Sequence, residues 1–139
     1  MCFFLCKNEF VNRRNNMNYL IVYAHPYVNS FNHAILDSVT ETLTKKNHHY
    51  EIIDLYKDNF NPAYDAEELS LFFAGKTHDS LVTKYQEMIK KAKRIIFIFP
   101  IWWNDLPAMV KGFIDKVMKK DFAYIFTEKG LEGTLTYIE

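Results

Sequence analysis

Two short stretches carry the side chains best suited to holding a ligand. His25 to Asn32 reads HPYVNSFN, and Pro100 to Asn104 reads PIWWN. The first follows an apolar run and precedes a helical pattern, so it is a strand-to-helix turn. There the backbone N–H groups of Ser30, Phe31 and Asn32 have no intrahelical partners, and with the Ser30 hydroxyl they suit an anion. The helix dipole alone contributes roughly 0.3–1 kcal/mol, or about 2 when partly buried. Hydrogen bonds to a charged group contribute about 1.5–3 kcal/mol each, so a firmly held anion needs several donors. His25 adds a donor that can also carry charge. Taken alone, the turn favours a plainer reading, in which Ser30 only caps the helix and His25 bonds a neighbouring carbonyl.

The second stretch shifts that balance. Tryptophan is large and unfavourable in water, yet two stand at the carboxyl end of an apolar run, where an open sheet meets solvent. A heteroaromatic ring needs an apolar edge, a flat face and backbone amides for its nitrogens and carbonyls. Ile101, Trp102, Trp103 and Asn104, held between Pro100 and Pro107, supply all three. Alternation along an extended chain sends one tryptophan into the core and leaves the other for a ligand.

The elements that position these turns follow from periodicity. Tyr19 to Ala24 (YLIVYA) is continuous apolar sequence, as in a parallel strand buried on both faces. Phe31, Ile35, Val39 and Leu43 recur every fourth position and predict a helix capped by Asn29 or Ser30. Tyr50 to Leu55 is a second strand, followed from Asn59 by a long loop through Gly75. Leu81, Tyr85, Met88 and Ile89 mark a second helix, and Arg94 to Phe99 a third strand. Pro107 opens a third helix striped by Met109, Val110, Phe113, Ile114 and Val117. Leu135 to Ile138 reads as the start of a fourth strand. This alternation predicts an α/β domain: a doubly wound parallel sheet with right-handed crossovers. Such sheets bind ligands beyond the carboxyl ends of their strands, where strand order reverses. With strand 1 between strands 2 and 3, the two turns flank that crevice.

Composition narrows the partners. Of 139 residues, 17 are basic and 17 acidic, so neither nucleic acid nor an anionic membrane is favoured as partner. Lys116, Lys119 and Lys120, like Lys90, Lys91, Lys93 and Arg94, fall at predicted helix ends and read as solvated charge. The four glycines form neither GxGxxG nor GxxxxGK[ST]. Cys2 and Cys6 are the only cysteines, which fits a reducing, cytoplasmic setting. MCFFLC is too short for a signal core, and no apolar run spans a membrane. Residues 1–17 read as an N-terminal extension, leaving a single domain over 18–139. His48 and His49 are adjacent on a strand and point to opposite faces, so no metal site is expected.

HPYVNSFN, DLYKDNFNP and FPIWWNDLPAMVKGFIDKV followed by FAY together resemble the flavodoxin-like NAD(P)H:quinone oxidoreductase family, including proteins of the modulator of drug activity type. The resemblance runs from Met17 to the C-terminus. It implies a flavodoxin-like sheet of order 2-1-3-4 with strand 4 a stub. It further implies a flavin, FAD or FMN, its phosphates on His25, Ser30, Phe31 and Asn32 and its ring against Pro100, Ile101, Trp102, Trp103 and Asn104. Hydride from NAD(P)H would then pass to a quinone or similar acceptor in a ping-pong cycle without a catalytic acid-base residue, in a homodimer whose active sites are completed across the subunits. The family continues into a Thr-Thr-Gly-Gly loop, a helix and a fifth strand, which this sequence does not contain. Two alternatives therefore stand beside the enzyme: a non-catalytic remnant, and an electron-carrier flavodoxin, the latter disfavoured by zero net charge.

Overall fold

The structure, a computed structural model, describes residues 17–139. Apart from Met17, the expected N-terminal extension lies outside the described residues. The elements run β1 (Asn18–Tyr23), α1 (Phe31–Lys45), β2 (His49–Asp54), α2 (Ala66–Ser70), a 3-10 turn (Phe72–Ala74), α3 (Ser80–Lys91), β3 (Arg94–Ile98), α4 (Ala108–Val117), β4 (Tyr124–Thr127) and β5 (Gly130–Gly133).

β1 is the centre of a parallel sheet of order β2-β1-β3, with Tyr23 level with Asp54 on one side and Ile98 on the other. This is the expected α/β flavodoxin-like arrangement, and the pleat explains its two layers. Leu20, Val22 and Ala24 face a core built from Val82, Tyr85 and Ile89 of α3 and Val110, Phe113 and Val117 of α4. Ile21 and Tyr23 face the opposite way, onto Leu36 and Leu43 of α1. Each fully buried large apolar side chain contributes about 1.5–3 kcal/mol, so the β1 run fixes both layers at once.

The chain after α4 departs from expectation. Residues 135–138 are not a strand. Ile138 N–H donates to the Leu135 carbonyl at 3.2 Å, closing a turn. Both apolar side chains pack on the core from that turn. Only Glu139 reaches β3: its N–H donates to Lys93 and its carbonyl accepts from Ile95, at 2.9 and 3.1 Å. Between α4 and this turn stands an antiparallel β4–β5 hairpin in a sheet of its own.

The cluster Lys116, Lys119 and Lys120 is also corrected. Lys116 and Lys119 are buried, because the segment between β2 and α3 folds over that end of α4. Glu68 on α2 is equally buried. Lys119 Nζ donates to its carboxylate and, at 2.7 Å, to the Lys76 carbonyl. The Thr77 hydroxyl and the His78 N–H also donate to Glu68, at 2.7 and 3.2 Å. Lys116 donates to Asp79 at 2.8 Å and to the Asn61 carbonyl at 2.9 Å. Burial alone would raise the Glu68 carboxyl, but Lys119, Thr77 and His78 outweigh it and hold the group below its ordinary value. Burial likewise opposes, and Lys116 and the Leu81 N–H prevail, at Asp79. These ties clamp the long connection to α4, whose other end carries the tryptophan turn.

Candidate ligand site at the ends of β1 and β3

β1 and β3 are hydrogen-bonded neighbours in register, and Ala24 N–H donates to the Ile98 carbonyl at 3.0 Å. The two turns singled out above therefore leave the same edge of the sheet side by side.

In the first turn, Ser30 has extended backbone and its hydroxyl accepts from His33 N–H at 3.1 Å, the standard N-cap bond. The Ser30 N–H donates to the Tyr27 carbonyl at 3.2 Å, so it is committed within the turn. Among the described residues, the N–H groups of Phe31 and Asn32 have no acceptor, which leaves two helix-end donors rather than three. The His25 Nδ1 lies 3.1 Å from the Tyr27 N–H and 3.2 Å from the Tyr27 carbonyl; in the tautomer that accepts from the N–H, the ring proton sits on Nε2, where it can be donated. The Asn32 Nδ2 is buried without a hydrogen-bond partner. A buried amide donor left unpaired is unfavourable by about 1–3 kcal/mol, and an anionic or carbonyl-bearing ligand at this turn would relieve it. The donor set thus fits a phosphate.

The β2 side of this turn holds features that sequence reasoning did not assign. Tyr23, His25, His33, Asp54 and Lys57 help to line a cavity of about 280 Å3. The Tyr23 hydroxyl lies 3.3 Å from His33 Nδ1, and burial pushes its acidity down, opposed by a hydrogen bond with Ser30. Only the path of the turn brings these residues together; no sequence spacing announces it. Phe31 points elsewhere. Its ring is exposed and lines an open apolar groove along α1 with Ile35, Val39 and Ile96.

The second turn overturns the expectation that one tryptophan is core. Ile101 is 73% exposed, Trp102 47% and Trp103 fully. The segment is not extended, so alternation does not apply. Trp102 N–H donates to the Asp105 carbonyl at 3.2 Å and Asp105 N–H returns the bond at 3.0 Å, closing a two-residue turn. Trp103 and Asn104 at its tip have φ of 52° and 62°. Pro107 follows as the buried N-cap residue of α4. Pro100 is half-buried and Asn104 exposed. Two exposed indoles and an isoleucine thus leave apolar surface on the turn that follows β3.

Asp54 accepts from Lys57 N–H in the turn after β2, and Asp115 pairs with Lys111 on α4. His48 packs on Tyr19 with ring centroids 5.3 Å apart. Among the described residues no group of three potential metal ligands comes together.

Comparison with known proteins agrees with the fold. A family model described as having a flavodoxin-like fold matches residues 17–137. An uncharacterized NAD(P)H oxidoreductase of Haemophilus influenzae is 36% identical over 115 residues, which cover 82% of this chain and 56% of that protein. NAD(P)H dehydrogenase [quinone] 1 of Rattus norvegicus is 32% identical, covering 77% and 45%. The solved NAD(P)H:quinone oxidoreductase from Methanothermobacter marburgensis superposes with a TM-score of 0.80 at 33% identity, covering 89% of this chain and 63% of the other. The chain spans about half the length of the curated relatives it matches.

Proposed function

The chain belongs to the family with the flavodoxin-like fold, and on that basis we propose that the protein is a flavin-dependent NAD(P)H:quinone, or related acceptor, oxidoreductase. One observation carries the reading: an exposed tryptophan pair and a helix N-terminus with free donors leave the same sheet edge from adjacent strands. Similarity to quinone oxidoreductases over most of the chain supports it.

In this proposal the N–H groups of Phe31 and Asn32, the Asn32 side-chain amide and His25 Nε2 hold the phosphate of FAD or FMN. Ser30 keeps the helix end open for it by capping His33 N–H. Pro100, Ile101, Trp102, Trp103 and Asn104 border the ring and exclude water from one of its sides. Flavin bound there supplies two-electron chemistry, accepting hydride from NAD(P)H and delivering it to a quinone in a ping-pong cycle. The chain contributes placement and electrostatics, with no acid-base side chain assigned.

A homodimer and a cytoplasmic setting complete the proposal. Exposed Phe73, Phe126 and Leu131 supply apolar surface for the first. The confinement of cysteine to positions 2 and 6 supports the second. No helix among the described residues is long and apolar enough to cross a membrane.

The test is reconstitution with FAD and FMN in parallel, followed by a visible spectrum and NAD(P)H-quinone kinetics. Flavin bands in the protein peak and parallel double-reciprocal lines are expected. A colourless protein after both reconstitutions would remove the reading.

A further inference from the structure

Trp103 occupies a conformation that neither its chemistry nor its packing favours. A two-residue turn with both central residues left-handed suits Asn-Gly or Asp-Gly, since φ above zero crowds a Cβ. Asn104 is compatible with such a position; Trp103, with φ of 52°, is not. Burial does not compensate, because the ring is wholly exposed. A strained residue persists only where its surroundings over-determine it. Here the surroundings are identifiable. The Asp105 carboxylate accepts from Leu106 N–H at 2.6 Å, while the Asp105 backbone closes the turn onto Trp102 in both directions. Leu106 leads directly into Pro107, whose φ of −59° is fixed by its ring and whose carbonyl accepts from Val110 and Lys111 at the start of α4.

We propose that Asp105 is a positioning residue, locking a strained turn so that Trp103 stands as a preformed face for a planar ligand before that ligand arrives. The proposal rests on the flavin reading for the identity of the ligand. Its structural content is independent: the turn is held against its own preference, at some loss to the stability of the fold. Pre-organisation of this kind reduces the ordering needed on binding. It also predicts an opposition in which relaxing the turn stabilises the free protein and weakens the complex.

The chain has only two tryptophans, both in this turn, so tryptophan emission excited beyond the tyrosine absorption reports it alone. The experiment compares Trp103→Gly, Trp103→Ala, Asp105→Ala and Asp105→Asn in the full chain. Without ligand, the glycine variant is expected to melt above both the alanine variant and the parent, the reverse of the order at an ordinary position. Asp105→Ala is expected to lower tryptophan anisotropy and to weaken FMN and FAD binding about tenfold. Asp105→Asn, whose side-chain oxygen still accepts from Leu106 N–H, is expected to restore both. An alanine variant as stable as the glycine variant, or an Asp105→Ala protein with parental anisotropy, would overturn the proposal. Should the parent bind neither flavin, the functional reading falls, while the melting order and the anisotropy still decide the positioning role.

Discussion

Replacing Lys119 with methionine measures how firmly α4, and with it the tryptophan turn, is anchored. Lys119 and Glu68 have no exposed side-chain surface, so neither charge is offset by water. Methionine fills similar volume but leaves the Glu68 carboxylate with only Thr77 and His78 as donors, and orphans the Lys76 carbonyl. The orphaned carbonyl alone is unfavourable by about 1–3 kcal/mol. Removing one partner of a buried pair typically costs about 3–5 kcal/mol, and the two remaining donors place this case near the lower end. A loss of about 3 kcal/mol corresponds to roughly 10 °C in melting temperature for a domain of this size. The pH dependence carries a sign. In the parent, Glu68 lies below its ordinary 4.5, so its contribution is complete above 4.5 and fades as pH falls through the folded value. Without Lys119 the burial contribution prevails, the group moves above 4.5, and the difference between parent and variant narrows on acidification. Urea unfolding followed by circular dichroism at neutral and acid pH reads both effects. Adding Glu68→Gln to the variant should recover part of the loss, because the uncompensated charge is gone while an acceptor remains. A Lys119→Met protein within about 1 kcal/mol of the parent at neutral pH, or a loss that Glu68→Gln leaves untouched, would refute the reasoning.

Other expectations follow from the same geometry. Trp103→Ala should weaken flavin binding more than Trp102→Ala, since Trp103 is fully and Trp102 only half exposed; fluorescence titration giving equal affinities would count against this. Ser30→Ala removes the bond to His33 N–H, and thermal melts should show a loss of about 1 kcal/mol together with weaker flavin binding. Gly112→Ala should destabilise by about 1–3 kcal/mol or more in denaturant titrations, because its Cβ would stand 2.2 Å from the Pro62 carbonyl oxygen.

Sequence patterning revealed the elements whose residues obey one period. β1 reads as an unbroken apolar run because both its faces are covered, and α4 because Val110, Phe113 and Val117 share a stripe. The two turns were legible as a pair because sheet order places them together. What escaped depended on tertiary partners. Lys119 looks like any helix-end lysine, and only the fold of residues 61–79 over α4 supplies the carboxylate that buries it. The β4–β5 hairpin turns at Glu128-Lys129, which carries none of the Asn-Gly chemistry that marks such turns. The expectation that one of Trp102 and Trp103 is core came from strand alternation, which fails where consecutive residues have positive φ.

The central claim is that one planar phosphorylated ligand is held jointly by the turns at 25–32 and 100–104. A crystal structure of the protein reconstituted with flavin tests it most directly. Phosphate oxygens on the N–H groups of Phe31 and Asn32, with the ring plane against Trp103, are the expected result. A bound flavin touching only one of these turns would contradict it.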